Sequence, residues 1–268
     1  FYSAACQNPT FPAGTDEHGN WLKNETATRV NPPGILLEEK NDSKDLNFDA
    51  HIKLSYDFNK NWRVSTFGSY LYGSTENGQF CPTLVWAQGN VYRGEFKKEE
   101  WLGNVSLDFN KEFGIHKVSA GVSSEYRKLR KTAFWVYAKG IPTNGFHYDN
   151  LGATAARPYG GTESTYEDQS LASVMGSITY NLLDRYTLAV NARGDGSSMV
   201  GDNNTWGFFP SVSFTWDMKK ENFLANIKPL SMLKLRTGLG QAGNLGGITA
   251  YTTMNTVRQT GIVPVKSS

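Results

Sequence analysis

The sequence predicts an all-β fold: an antiparallel transmembrane β-barrel, of which this chain supplies about eight strands joined by long extracellular loops. Three features of the sequence predict it. Apolar and polar residues alternate over long runs, the connections between runs are short on one side and long on the other, and aromatic residues gather at both ends of the runs. A content of 13% aromatic residues and 27 glycines also suits strands and turns better than helices.

The clearest predicted strand covers residues 46–58. Every even-numbered residue of this run is apolar and every odd-numbered residue between them is polar. Because successive side chains of a strand point to opposite faces, this strand has one apolar face and one polar face. His51 falls on the polar phase, so we expect its side chain to face the interior of the barrel.

The same alternation recurs along the chain. Further strands are predicted at residues 62–72, 101–110, 117–126, 172–180, 186–192, 208–217 and 233–239. Strands of about 9 to 14 residues are longer than the usual five or six of a soluble sheet. Ten residues tilted by about 40° span roughly the 25 Å apolar band of an outer membrane.

The connections alternate in length, as in membrane barrels with short periplasmic turns and long extracellular loops. Tight turns are predicted at residues 59–61, 111–116 and 181–184, and long polar loops at residues 73–100, 140–165 and 195–206. Residues 218–231 form a longer connection on the short side. There Phe223, Leu224 and Ile227 predict one amphipathic helical turn before Pro229.

Aromatic residues on the apolar phase mark both ends of the predicted strands. Those at the short-turn ends are Phe58, Trp62, Phe109, Tyr180, Tyr186 and Trp216, and those near the opposite ends are Tyr70, Tyr72, Trp101, Tyr126 and Phe208. Two aromatic rings around an apolar band are typical of a protein that meets two membrane interfaces. A soluble β-sandwich would bury the same apolar faces but has no reason to collect aromatic residues at both strand ends.

Composition excludes several classes of protein. The chain has 268 residues with 27 basic and 25 acidic side chains, so no basic excess points to nucleic acid. No apolar run is long enough for a transmembrane helix. The chain opens with Phe1 and without a signal sequence, which predicts a start inside a mature protein or a fragment. Cys6 and Cys81 form one disulfide or remain two free thiols.

The sequence predicts neither an enzyme nor a cofactor site. The four histidines have no metal-ligand spacing, so no metal is expected. Residues 238–243 match the dinucleotide fingerprint GxGxxG, but no Asp or Glu follows Glu221, so we interpret them as a Gly-rich strand end. No pair of side chains suggests an activated nucleophile with its base.

Binding is the chemistry that remains. Aromatic residues on the long-loop side can stack on sugar rings or peptide side chains. The predicted substrate contacts are Trp86, Tyr92, Trp135, Tyr137, Tyr148 and Trp206. The alternative is that these side chains pack the loops against each other or complete the outer aromatic ring.

Residues 166–251 carry a more specific signal. The segments are YEDQSLASVMGSITYNLLDRYTLAVNARGDGSS, then WGFFPSVSFTWDMKKENFL, then LSMLKLRTGLGQAGN. This string resembles the barrel of SusC/RagA-type TonB-dependent outer-membrane transporters. The matching pieces are Asp184-Arg185-Tyr186, Arg193 with Asp195-Gly196-Ser197-Ser198, Phe209-Pro210-Ser211, Trp216, Leu233-Lys234-Leu235-Arg236, and Gly240-Gln241 with Gly243-Asn244.

The resemblance implies a barrel of about 22 strands with an N-terminal plug. It also implies coupling to TonB and a SusD-like surface lipoprotein that closes over the barrel, for import of oligosaccharides or peptides across the cell outer membrane. Residues 1–268 would be part of a single TonB-dependent receptor β-barrel domain, with the plug and terminal strands absent from this chain. Two alternatives stay open: a small closed outer-membrane barrel with a structural role, and a secreted β-sandwich that binds glycans.

Overall fold

The computed structural model describes residues 12, 14–22, 31–158, 160–200 and 206–243. Their main feature is one antiparallel sheet in which each strand pairs with the next along the chain. The eight strands are β1 Lys40–Asp57, β2 Trp62–Cys81, β3 Asn90–Phe113, β4 His116–Lys139, β5 Thr162–Leu182, β6 Tyr186–Ser197, β7 Trp206–Asp217 and β8 Lys234–Gly240. This sheet confirms the predicted all-β antiparallel fold. The short helices α1 (Pro32–Glu38) and α2 (Asn222–Ala225) flank it.

The strands on the long-loop side are longer than predicted. β2 has 20 residues and β3 has 24, and the two stay paired as far as Cys81 and Asn90. The predicted loop at residues 73–100 is therefore wrong, because only residues 82–89 connect these strands. From residue 73 to residue 79 both faces of β2 carry polar residues and glycine, so the hydrophobic alternation ends while backbone pairing continues.

The other connections largely follow the prediction. β3 and β4 are joined by Gly114 and Ile115 alone, and Gly114 has a φ of 59°, a value that glycine adopts without strain. Leu183 and Asp184 also have positive φ and make the tight turn between β5 and β6. Residues 140–161 form a long loop. The predicted loop at residues 195–206 is shorter, since β6 continues to Ser197, and residues 201–205 lie outside the described part of the chain.

The register gives the sheet two chemically distinct faces. The apolar face carries the even-numbered residues of β1, β2 and β4–β7 and the odd-numbered residues of β3 and β8, as the pairs Leu107–Val122, Ile178–Val190 and Val212–Leu239 show. The polar face carries the opposite set. No described element covers the apolar face between the aromatic ends, and Ile178 is 58% exposed.

Aromatic contacts close both ends of this apolar face. Tyr70 and Trp101 lie 4.2 Å apart between ring centroids at the long-loop end of the band. Trp62 and Phe109, at 4.8 Å, lie at the short-turn end. The predicted aromatic residues therefore form neighbouring pairs across strands.

The sheet is open at both edges. β1 and β8 are its first and last strands, and no pairing joins them among the described residues. A closed eight-stranded barrel requires that pairing, and a β-sandwich requires a second sheet packed on the first. The described residues contain neither, which argues against both alternatives. No helix in the described ranges is long and apolar enough to cross a membrane.

The small buried core lies at the long-loop end. Phe80, Val91, Ala138 and Ile141 form it, and the loop at residues 140–161 covers it with Tyr148 and Leu151. The first three of these residues belong to the apolar-face phase of β2–β4, so this loop folds over the outside of the sheet. Cys81 is buried beside the core as a free thiol, and Cys6 lies outside the described residues.

Candidate functional site

The polar face carries the candidate functional groups. Long β strands position them, because alternate residues of neighbouring strands stand side by side on one face. His51 lies there as predicted, stacked on Phe67 with 6.3 Å between ring centroids. Open cavities lie against this face, among them one over β3–β7 and one over β1–β5.

The first cavity has a volume of about 980 Å³ and is lined by hydroxyl, amide and charged side chains. At its centre the Arg193 Nε donates to both carboxylate oxygens of Asp195 at 2.7 Å. The Arg193 Nη2 donates to Ser173 Oγ at 3.0 Å, and Nη1 lies 3.0 Å from Met175 Sδ. Ser173 is 1% exposed, so the pair is fixed against a buried hydroxyl.

This geometry corrects the predicted start of the long loop at residue 195, because Asp195 lies within β6. β6 continues to Ser197, and the turn begins at Ser198, whose Oγ accepts from the Ser170 backbone N–H at 2.9 Å. The prediction failed because Gly194 and Gly196 look like turn residues. In the structure their missing side chains leave room on the apolar face, where the ring of Trp206 lies over Gly196.

The second cavity has a volume of about 650 Å³ and lies nearer the long-loop end. Phe96 and Trp135 stack in it with 6.3 Å between ring centroids and an interplanar angle of 15°. Beside them, Lys131 Nζ lies 3.3 Å from Glu167 Oε2. Lys98 also lines this cavity, with its Nζ 3.0 Å from Glu100 Oε2. An aromatic surface flanked by charged groups of both signs can hold a ligand that has flat apolar faces and polar substituents.

Four of the six predicted contact residues lie on the polar face of the sheet or next to it. Trp86 lies in the connection 82–89, whereas Tyr92, Trp135 and Tyr137 lie in β3 and β4 rather than in loops. Tyr92 stands opposite Tyr137 in the register. The Lys139 ammonium lies 6.0 Å from the Trp86 ring centroid and 5.7 Å from the Tyr137 ring centroid, within range of cation–π attraction.

The other two predicted residues lie on the opposite side of the sheet. The Tyr148 hydroxyl donates to Asp42 Oδ2 at 2.7 Å, and the Tyr148 ring lies over Gly78. Trp206 lies over Gly196 and is largely exposed on the apolar face. The structure therefore separates Tyr148 and Trp206 from the other four.

Sequence reasoning missed Phe96, Lys98 and Lys131. All three fall inside or beside the predicted loop at residues 73–100 or beyond the predicted end of β4. The sequence signal that could have identified them is the alternation of polar and apolar residues in the adjoining predicted strands. Continuing the alternation of residues 101–110 backwards places Phe96 and Lys98 on the polar face, and continuing that of residues 117–126 forwards does the same for Lys131 and Trp135.

Metal ligation has no support in the described ranges, where no group of three or more His, Cys, Asp or Glu side chains could hold an ion. His116 instead contacts the Tyr180 hydroxyl at 2.6 Å, and His147 contacts Lys40 Nζ at 3.0 Å.

Comparison with known proteins gives a consistent result. A family described as "TonB dependent receptor-like, beta-barrel" matches residues 7–265. TonB-dependent receptor P3 of Formosa agariphila is 31% identical over 231 residues, which cover 84% of this chain and 22% of that protein. TonB-dependent receptor SusC of Bacteroides thetaiotaomicron is 28% identical over 251 residues, 87% of this chain and 23% of that protein.

Among solved structures, that of the RagAB peptide transporter matches with a TM-score of 0.75 at 16% identity, over 89% of this chain and 28% of that one. The RagAB peptide importer in its open-open state matches with a TM-score of 0.73. These two matches concern the fold. The chain spans about a quarter of the length of the curated relatives it matches.

Proposed function

This chain belongs to the TonB-dependent receptor-like β-barrel family, and we propose that it forms part of the wall of a larger outer-membrane barrel that imports nutrients. The observation that carries the proposal is the two-faced sheet. An uncovered apolar face lies between two aromatic ends, and the opposite face holds charged groups and open cavities. A barrel wall requires this arrangement, because one face meets lipid and the other meets the aqueous interior.

The membrane position follows from the same faces. Ile52, Ile178 and Val212 face the acyl chains, and the Tyr70–Trp101 and Trp62–Phe109 pairs lie at the two interfaces. The tight turns then lie on the periplasmic side and the loop at residues 140–161 on the cell exterior. The extensions of β2–β5 past the aromatic end carry the second cavity above the membrane, where an arriving substrate meets it first.

The proposed substrate is an oligosaccharide or a peptide. Phe96, Trp135 and the Trp86–Tyr137 pair offer flat rings, and Lys98, Lys131 and Glu167 offer polar contacts. The RagAB neighbour supports a peptide, and the likeness to SusC-type receptors supports either cargo.

The proposed partners are those of the family. A SusD-like surface lipoprotein would close over the long-loop end, and TonB would act from the periplasm through parts of the protein beyond this chain. In this scheme the substrate is held by the loops and the polar face and is released inward when TonB pulls the plug. In the same scheme the side chains that line the second cavity bind and orient the substrate.

Uptake by whole cells tests the proposal. The strains are the wild type, a deletion of the full-length protein, the complemented deletion, and a strain without TonB. Fluorescently labelled pools of oligosaccharides and of peptides, both too large for porins, are offered separately. We expect uptake of one pool to require both the protein and TonB. Uptake that needs the protein but continues without TonB would contradict the proposal and indicate a passive pore.

A further inference from the structure

The connection between β7 and β8, residues 218–233, is the one long connection at the short-turn end among the described residues. It folds against the aromatic pair Tyr186 and Trp216, whose rings stack 6.2 Å apart on the apolar face. The Glu221 Oε1 accepts from the Tyr186 hydroxyl at 2.5 Å and from Trp216 Nε1 at 3.0 Å. The connection is therefore attached to the periplasmic aromatic end of the lipid-facing surface.

Further contacts give the connection a defined conformation. Arg185 Nη1 donates to Glu221 Oε2 at 3.1 Å, so the carboxylate is paired as well as hydrogen-bonded. The Lys219 ammonium donates to the carbonyl oxygens of Leu224 and Ile227, both at 2.9 Å, at the end of α2. The Lys220 ammonium donates to the Asp184 carbonyl oxygen at 2.9 Å and joins the connection to the β5–β6 turn.

This ordered segment exposes large apolar side chains. Phe223 and Met232 are each 65% exposed, and Ile227 is also exposed. An isolated exposed apolar residue needs no explanation, but three of them on one short segment beside the apolar face extend that face past its aromatic end. Because these three side chains continue the lipid-facing surface, we expect them to contact lipid as well.

The charge of the segment agrees with a lipid surface. Residues 218–233 contain Lys219, Lys220 and Lys228 against the single acidic residue Glu221, which Arg185 already pairs. Basic residues beside exposed apolar ones are typical of segments that lie in a membrane interface, where anionic headgroups attract them.

We propose that the β7–β8 connection is an interfacial anchor, which inserts Phe223, Ile227 and Met232 among the acyl chains of the periplasmic leaflet and presents Lys228 to the lipid phosphates, while Lys219 and Lys220 hold the connection in place through backbone carbonyl oxygens. The anchor rests on the proposed membrane position of the sheet. It goes beyond that position, because a turn on the periplasmic side would otherwise lie in water. The competing occupant is another part of the same protein, packed over these side chains.

Spin labelling of the full-length protein tests the anchor. In a background with Cys6→Ser and Cys81→Ser, single labels replace Phe223, Met232, Lys60 or Leu188, one per variant. The protein is reconstituted in vesicles of phosphatidylethanolamine and phosphatidylglycerol. Electron paramagnetic resonance then compares relaxation by oxygen, which partitions into lipid, with relaxation by a water-soluble nickel complex.

We expect the labels at Phe223 and Met232 to respond several-fold more strongly to oxygen than to the nickel complex. Leu188, on the apolar face, is the lipid control, and Lys60, in the tight turn between β1 and β2, is the water control. A stronger response to nickel at Phe223 and Met232, together with a stronger response to oxygen at Leu188, would overturn the anchor. The membrane position of the sheet would then still hold. Protection of Phe223 and Met232 from both reagents would assign the surface to the protein itself and also overturn the anchor. A nickel response at Leu188 would instead contradict the membrane position on which the proposed function rests.

Discussion

Arg193 contacts three different side chains on the polar face. Its guanidinium contacts Asp195, the buried hydroxyl of Ser173 and the sulfur of Met175. Asp195 is mostly buried, so removal of its partner leaves a carboxylate with little water to replace the lost hydrogen bonds. The pair Arg63–Asp57, at 2.6 Å, has similar chemistry but is more than half exposed on both sides. The two Arg–Asp pairs have the same charges but differ in burial, so a comparison between them isolates the effect of burial on stability.

The first prediction concerns these two pairs. Arg193→Ala should destabilise the folded barrel by about 1–3 kcal/mol, because hydrogen bonds to a charged, partly buried group are lost. Arg63→Ala, the matched control, should leave stability nearly unchanged, because an exposed ion pair is screened by solvent. The measurement is urea unfolding of each full-length variant in lipid vesicles. Equal losses for the two variants would show that the Arg193 contacts carry no special weight.

The second prediction concerns the aromatic stack in the second cavity. Trp135→Ala should weaken binding of the transported substrate roughly 2- to 10-fold, since one aromatic contact contributes about 0.5–1.5 kcal/mol. Trp206→Ala removes an equally large ring from the apolar face and should leave binding unchanged. The measurement is the concentration dependence of uptake in cells that carry each variant at equal abundance. A loss of affinity in the Trp206 variant alone would place the substrate contact on the apolar face and contradict the prediction.

At the scale of elements, the long loop at residues 140–161 approaches β2 closely at Gly78. A side chain carbon at Gly78 would come within 2.7 Å of the Tyr148 ring, so any larger residue at this position must displace the ring. The loop in turn covers the buried side chains of Phe80, Val91 and Ala138. Packing of this loop therefore depends on a strand residue that has no side chain.

The third prediction follows from that contact. Gly78→Val should displace the loop and make it susceptible to proteolysis on intact cells, because a valine and the Tyr148 ring cannot occupy the same space. Gly103→Val is the control, since no atom lies within 4 Å of the position of its side chain carbon. Cleavage between residues 140 and 161, detected by mass spectrometry, is the readout. Resistance of the Gly78 variant equal to that of the control would contradict the packing described.

The fourth prediction concerns the pH dependence of the β7–β8 connection. Hydrogen bonds from Tyr186 and Trp216, together with the nearby Arg185 guanidinium, hold the pKa of Glu221 below its ordinary value. A carboxyl with a lowered pKa stabilises the folded state above its unfolded pKa of about 4.3 and loses that contribution as the pH falls through the folded value. The attachment of the connection should therefore be complete at neutral pH and weaken in acid.

A spin label at Met232 measures this loss of attachment as an increase in mobility on acidification. Glu221→Gln keeps the shape of the side chain and removes the titration, so its mobility should stay constant with pH. The hydrogen bond to Glu221 raises the pKa of Tyr186 above its ordinary value, so the tyrosine does not titrate in acid. The same pH profile in wild type and Glu221→Gln would show that another group controls the connection.

Alternation predicted the elements wherever one face meets an apolar surface. The run at residues 46–58 became part of β1, and the phase of the aromatic residues correctly assigned them to the apolar face. The long-loop halves of β2 and β3 could not be found in this way, because neither face of residues 73–79 meets lipid and no regular alternation of polarity is imposed there. Their pairing depends on backbone hydrogen bonds, which every residue type except proline can donate.

The candidate site was predictable to a similar degree. Aromatic content pointed to Trp86, Tyr92, Trp135 and Tyr137, yet sequence alone could not separate them from Tyr148 and Trp206. The face of a loop residue depends on how the loop folds, and the loop at residues 140–161 turned outward over Gly78. Phe96 and the Arg193 pair required the register, which is a property of paired strands rather than of one segment.

At the scale of the whole molecule, the open edges determine what the sheet can do alone. β1 and β8 each have one unpaired side among the described residues. Unpaired backbone groups in lipid are too costly for a spanning structure, so the sheet functions only when further strands complete the barrel. Relatives that are about four times longer are consistent with that requirement.

The most direct test is to measure the mass of the native polypeptide and to identify the proteins that co-purify with it. The polypeptide is extracted from outer membranes in mild detergent and identified by peptides of this chain. The account predicts a polypeptide several times larger than 29.8 kDa, which co-purifies with a surface lipoprotein. A polypeptide of about 30 kDa that runs alone, with heat-modifiable mobility on a gel, would mean a small closed barrel and would contradict the proposed import function.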